Sequence, residues 1–154
     1  MKNFMEMAIK EAEIALKNEE VPIGAVIVKD GKVIAKGHNK REKKKNALMH
    51  AEIIAINKAC KKLQDWRLEN CEMYVTLEPC PMCAGAIVNA RISKVIYGAK
   101  DKTAQDGLFE KILTSVRLNH KTDYVQDTEN EEICSKLITN FFKEKRNKKD
   151  KNLP

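Results

Sequence analysis

The chain has 154 residues, room for one domain with a real core, and no run of about 20 apolar residues that could span a membrane. Hydrophobic residues make up 43% and aromatic ones only 5%, so the core has to be mostly aliphatic. A formal net charge of +7 favours an anionic partner, with nucleic acid first in line.

The N-terminal stretch MKNFMEMAIKEAEIALKNEE carries acids through its apolar part and lacks a small-residue cleavage site, so it reads as a helix and not as a signal peptide. Within residues 3–17, Phe4, Met7, Ala8, Ile14 and Ala15 follow a helical period. Two β-branched runs come next, Val21–Val28 and Lys32–Lys36. Lys29-Asp30-Gly31 joins them as a hairpin. A basic loop, Lys40–Asn46, leads to a helix from about His50 to Leu63. Cys71–Glu78 reads as a third strand, stopped by Pro79 and Pro81, with a helix from there to about Ala90.

Lys94–Ala99 is a fourth strand, Leu108–Val116 a helix and Tyr124–Gln126 at most a short strand. Glu129–Lys145 closes the pattern as an amphipathic helix bearing Ile133, Leu137, Ile138, Phe141 and Phe142. Strands alternating with helices predict a layered α/β sandwich. The expected domain covers residues 1–147, and 148–154 read as a basic, disordered tail. Five cysteines, an odd number without framework spacing, argue against a disulfide scaffold and for a reducing, cytoplasmic setting.

One stretch, LMHAEIIAI, places His50 and Glu52 at the entry of an apolar helix. Another, Pro-Cys-Pro-Met-Cys, places Cys80 and Cys83 at the entry of the next one. Pro81 suits the first helical position, where a missing N–H costs nothing. The positive end of the helix dipole then favours the thiolate forms that a metal requires. Three readings compete for the cysteine pair. A redox Cys-x-x-Cys belongs after the first strand of a thioredoxin-like unit, whereas this pair follows the third. Half of a structural zinc site needs a second Cys/His pair, which Cys60, Cys71 and Cys134 do not supply at finger-like spacing. Two-thirds of a catalytic zinc site needs one more ligand and an open position, and His50 is the best candidate for that ligand. Residues i and i+2 do not share a helix face, so His50 is expected at the helix edge and Glu52 inside its first turn. A capping glutamate beside a core histidine is the bland alternative, and it weakens once both motifs occur together.

His-Ala-Glu followed by Pro-Cys-x-x-Cys is the signature of zinc-dependent nucleobase deaminases. EVPIGAVIV (Glu20–Val28), GHN (Gly37–Asn39), WRLENCEMYVTLEPCPMCAGAI (Trp66–Ile87), YGAKD (Tyr97–Asp101) and FFKEKR (Phe141–Arg146) together make the chain resemble the bacterial tRNA-specific adenosine deaminases. That resemblance implies a cytidine deaminase-like, three-layer α-β-α sandwich around a mixed five-stranded sheet. It implies one Zn²⁺ per subunit on His50, Cys80 and Cys83, with Glu52 as the catalytic proton shuttle. It also implies Asn39 on the target base, Val21, Pro22 and Ile23 along the base pocket, and Phe142 near a flanking nucleotide. The expected reaction is adenosine to inosine at the wobble position of a tRNA, an arginine tRNA first. The expected partners are an anticodon stem-loop and a second copy of the chain in a homodimer. A deaminase of free bases or nucleosides, and a catalytically dead RNA-binding module, are the alternatives.

Overall fold

Asp30 and Gly31 both adopt positive φ, 51° and 75°, the mirror-image turn that two-residue hairpins favour. They join β1 (Gly24–Lys29) to β2 (Lys32–His38), with Lys29 opposite Lys32 and a bulge between Ile27 and Val28. The protein is described from a computed structural model over residues 3–103 and 106–151. Before this hairpin stands α1 (Phe4–Lys17), capped by the Asn3 side chain accepting from the Glu6 N–H. After it come α2 (Ala51–Leu63), β3 (Cys71–Leu77), α3 (Pro81–Asn89), β4 (Lys94–Ala99), α4 (Leu108–Thr114), β5 (Asp123–Gln126) and α5 (Glu131–Lys151).

The sheet order is β2-β1-β3-β4-β5. β1 runs antiparallel to both neighbours, and β3, β4 and β5 are mutually parallel. Alternation along a strand sends side chains to opposite faces, and both faces are covered. Ala25 and Ile27 of β1 pack with Met73, Val75, Val95 and residues of α2, α3 and α4. Val26 and Val28 pack on the other side with Met5, Ala8 and Ile9 of α1 and Cys134 of α5. The result is the α-β-α sandwich around a mixed five-stranded sheet that the sequence led us to expect.

Several boundaries differ from the sequence reading. Val21–Ile23 lie outside β1, because the Ile23 N–H turns back to Val21 O at 2.9 Å. β2 continues to His38, whose Nδ1 lies 3.1 Å from Glu11 Oε1 of α1. The basic C-terminal segment is a correction: α5 runs on to Lys151, so residues 148–151, expected as disordered tail, are helical here. Its lysines are good helix formers and sit where the dipole favours cations. The rest of that tail, residues 152–154, lies outside the described residues. Ile133, expected on the apolar face of α5, is 52% exposed, and Cys134 is the residue of that helix that enters the core. His120 bonds through Nε2 to Ile92 O at 2.7 Å, and Thr122 Oγ1 donates to the same carbonyl at 2.8 Å. Both side chains therefore tie the loop before β5 to the connection between α3 and β4.

Gly37 sets the seat of α2. A Cβ there would overlap Ala51 O and lie 2.9 Å from Ala55 N, both in the backbone of the α2 first turns. Gly37→Ala is expected to cost about 2 kcal/mol through overpacking and to displace the start of α2. Urea unfolding measures the first effect. The second should appear as faster amide hydrogen exchange in the first turn of α2, which His50 precedes as N-cap.

Candidate active site

α2 starts at Ala51, and His50 is its N-cap in extended backbone (φ −76°, ψ 155°). Cys80 is the N-cap of α3 in the same kind of conformation (φ −70°, ψ 170°), and Pro81 opens that helix. Neither side chain makes the hydrogen bond that a capping residue normally gives its helix, so both are free to face outward. Cys83, in the first turn of α3, is buried. The ligand atoms of His50, Cys80 and Cys83 all lie within 4.8 Å of one another, two helix N-termini having been brought together.

His50 Nδ1 stands 3.7 Å from Cys80 Sγ and 3.5 Å from Cys83 Sγ. The hydrogen bond from Cys83, helped by His50, holds the Cys80 thiol down at about 4. The Cys83 thiol is pushed up, first by that same bond to Cys80 and then by burial. His50 is raised by its bond to Cys80. The three side chains thus share hydrogen bonds that favour a thiolate within the group. A metal cation would displace the protons of those bonds.

Glu52 is 3% exposed, and among the described residues its Oε1 has no hydrogen-bond partner. Burial lifts its carboxyl to about 7, against the pull of His50. A buried acid with an unpartnered oxygen is costly for stability, and such groups concentrate where chemistry is done.

The donors fit zinc. Bonds of about 2.0–2.1 Å to nitrogen and about 2.3 Å to sulfur, at the tetrahedral angle, separate the two donor atoms by about 3.5 Å. The two observed separations, 3.5 and 3.7 Å, match. One imidazole and two thiols also form the mixed nitrogen–sulfur set that zinc prefers, with a fourth position left for water or substrate.

His50 and Ala51 open onto a cavity of about 590 Å³. Val21, Ile23, Leu77 and Ala99 give it apolar walls, and Ser135, Ile138, Thr139 and Phe142 of α5 close another side. Arg41, Lys100, Lys102 and Arg146 add four cations to the lining, with Asp101 among them. Of the residues singled out from the sequence, Val21, Ile23, Asn39 and Phe142 lie on this cavity. Pro22 does not: it is buried and absent from the lining. Asn39 is 5% exposed, its N–H donates to Ile23 O at 3.2 Å, and its Oδ1 accepts from the Arg41 N–H at 3.0 Å. Among the described residues, that leaves the amide NH₂ as the free end. Phe141 packs edge-on against Phe142, with ring centroids 5.3 Å apart. The sequence reading missed Ser135 and Thr139, whose spacing with Ile138, Phe142 and Arg146 traces a single helical face.

Fold and donor set together define a deaminase, and the family model for MafB19-like deaminases matches residues 1–146. The chain is 48% identical over 147 residues to the tRNA-specific adenosine deaminase of Bacillus subtilis (strain 168), covering 95% of this chain and 91% of that one. A structure from a study of A-to-I editing by tRNA:A34 deaminases at the wobble position of transfer RNA superposes with a TM-score of 0.74 at 42% identity, over 80% of this chain and 95% of that one. The guanine deaminase of Bacillus subtilis superposes with a TM-score of 0.63 at 33% identity, over 96% and 95% of the two chains. The chain belongs to the family of tRNA-specific adenosine deaminases.

Proposed function

We propose that this enzyme hydrolyses adenosine to inosine and ammonia at the wobble position of a tRNA, an arginine tRNA first. The observation that carries the proposal is the His50–Cys80–Cys83 donor group opening through His50 onto a cavity lined by Arg41, Lys100, Lys102 and Arg146. Ligand pockets are typically about 300–1,000 Å³, and the cavity's 590 Å³ falls in that range. Cations around it suit a nucleotide that arrives with its phosphates attached.

In this reading His50, Cys80 and Cys83 would hold one zinc ion per chain, which would supply Lewis acidity to the attacking water. Glu52 takes a proton from the attacking water at its unpartnered Oε1. It delivers that proton to the purine ring nitrogen, where inosine keeps it, and then carries the second proton of the water, from the new hydroxyl on the reacting carbon, to the amine that departs as ammonia. Asn39 donates its free NH₂ to the base, Val21 and Ile23 flank it, and Phe142 packs against a neighbouring nucleotide. Lys43–Lys45 and the basic end of α5 meet phosphates of the stem-loop. A single-stranded loop offers its base already splayed, so little unpairing energy is spent. Residues 1–147 form the single catalytic domain, which works in the cytoplasm as a homodimer.

The likeness to a guanine deaminase makes free bases the competing substrates. Parallel assays with an anticodon stem-loop carrying a wobble adenosine, free adenosine, cytidine and guanine separate the two. Turnover of the stem-loop alone is expected. Turnover of guanine alone would move the enzyme to small-molecule chemistry.

A further inference from the structure

Glu20 has no part in the chemistry above, yet it is only 2% exposed. It follows the end of α1, where its N–H donates to Ala15 O at 2.9 Å, and it directly precedes the cavity residues Val21 and Ile23. Both of its carboxyl oxygens are engaged far along the chain. Oε1 accepts from the Glu42 N–H at 3.0 Å and Oε2 from the Lys43 N–H at 2.9 Å.

Those two amides belong to the loop 40–46, whose other backbone hydrogen bonds, among the described residues, stay within residues 39–49. The loop is crowded with positive charge from Lys40, Arg41, Lys43, Lys44 and Lys45. Left to itself such a segment repels its own parts. A buried acid accepting two backbone N–H groups supplies both charge and fixed geometry. The loop in turn carries Arg41 on the cavity, and the Arg41 N–H holds Asn39 Oδ1.

We infer that Glu20 is a positioning residue for substrate recognition: it pins the backbone at residues 42 and 43 so that Arg41 and the Asn39 amide face the bound nucleotide. The inference rests on the substrate reading above for its kinetic part and on the loop geometry alone for the rest.

The test uses zinc-loaded enzyme with Glu20→Gln, Asn39→Ala and the double variant. Glutamine keeps the size of the side chain but offers an NH₂ to one of two amides that need an acceptor. In Glu20→Gln, amide hydrogen exchange at Glu42 and Lys43 is expected to quicken while zinc content stays at the wild-type value. kcat/KM on the stem-loop should fall about tenfold, mostly through KM, as for one lost charge-assisted hydrogen bond. Asn39→Ala should absorb that loss, so the double variant should be no worse than Asn39→Ala alone. Glu20→Asp, which keeps the charge on a shorter stem, should recover part of the defect; it also serves if glutamine prevents folding. Unchanged exchange at residues 42 and 43, or additive losses in the double variant, would overturn the inference. The exchange measurement needs no RNA, so a wild-type enzyme inactive on the stem-loop would refute the substrate and leave the role of Glu20 to be decided by exchange.

Discussion

Glu52→Gln is expected to lower kcat on the stem-loop by about a thousandfold or more, the upper range for losing a positioned acid–base group. Glutamine has nearly the same shape and fits the same buried site, so the fold should persist. What it lacks is the ability to take a proton and give it back. Glu52 is suited to that task because it is buried, its Oε1 is unpartnered and its carboxyl is raised to about 7. Zinc content should remain that of the wild type, because Glu52 is not among the grouped donors. Thermal unfolding should change little, because the amide has nearly the same shape and adds no charge to the buried site. Rapid-quench single-turnover assays separate this loss from slow product release. Activity within tenfold of wild type would mean that another group moves the proton.

Cys83→Ser is expected to abolish tight zinc binding and activity together. A hydroxyl does not supply the soft anionic ligand that the thiolate does. The same experiment bears on stability, since the ion would bind residues at the N-termini of α2 and α3 in the folded state only. Zinc at about 100 times its dissociation constant adds about 2.7 kcal/mol to folding. A chelator should therefore lower the unfolding temperature of the wild type and leave Cys83→Ser unmoved. Equal shifts in the two proteins would place the metal elsewhere.

The donors were readable in the sequence because each motif is local. His50 and Glu52 are two residues apart, Cys80 and Cys83 three, and helix entry fixes how each pair can point. Joining the two motifs took the known pattern of a family. Strand existence was equally local, with the Asp30-Gly31 turn and β-branched runs carrying the signal. Strand order was not: β1 lies between β2 and β3, a fact of pairing across the sheet. The Glu20 bonds reach 22 and 23 residues along the chain, and no short-range pattern announces them. Pro22 was assigned to the pocket along with its neighbours because sequence adjacency could not tell wall from backing. The length of α5 was underread for a different reason. Its last turns are charged on every side, so hydrophobic periodicity ends near Phe142 while helix propensity continues.

The most direct test of the account is inosine at the wobble position of an arginine tRNA, read by mass spectrometry after incubation with zinc-loaded enzyme. Inosine is expected at that one position with the wild type and none with Glu52→Gln at equal zinc content. Unchanged tRNA alongside turnover of a free base, or inosine formed equally by Glu52→Gln, would contradict it.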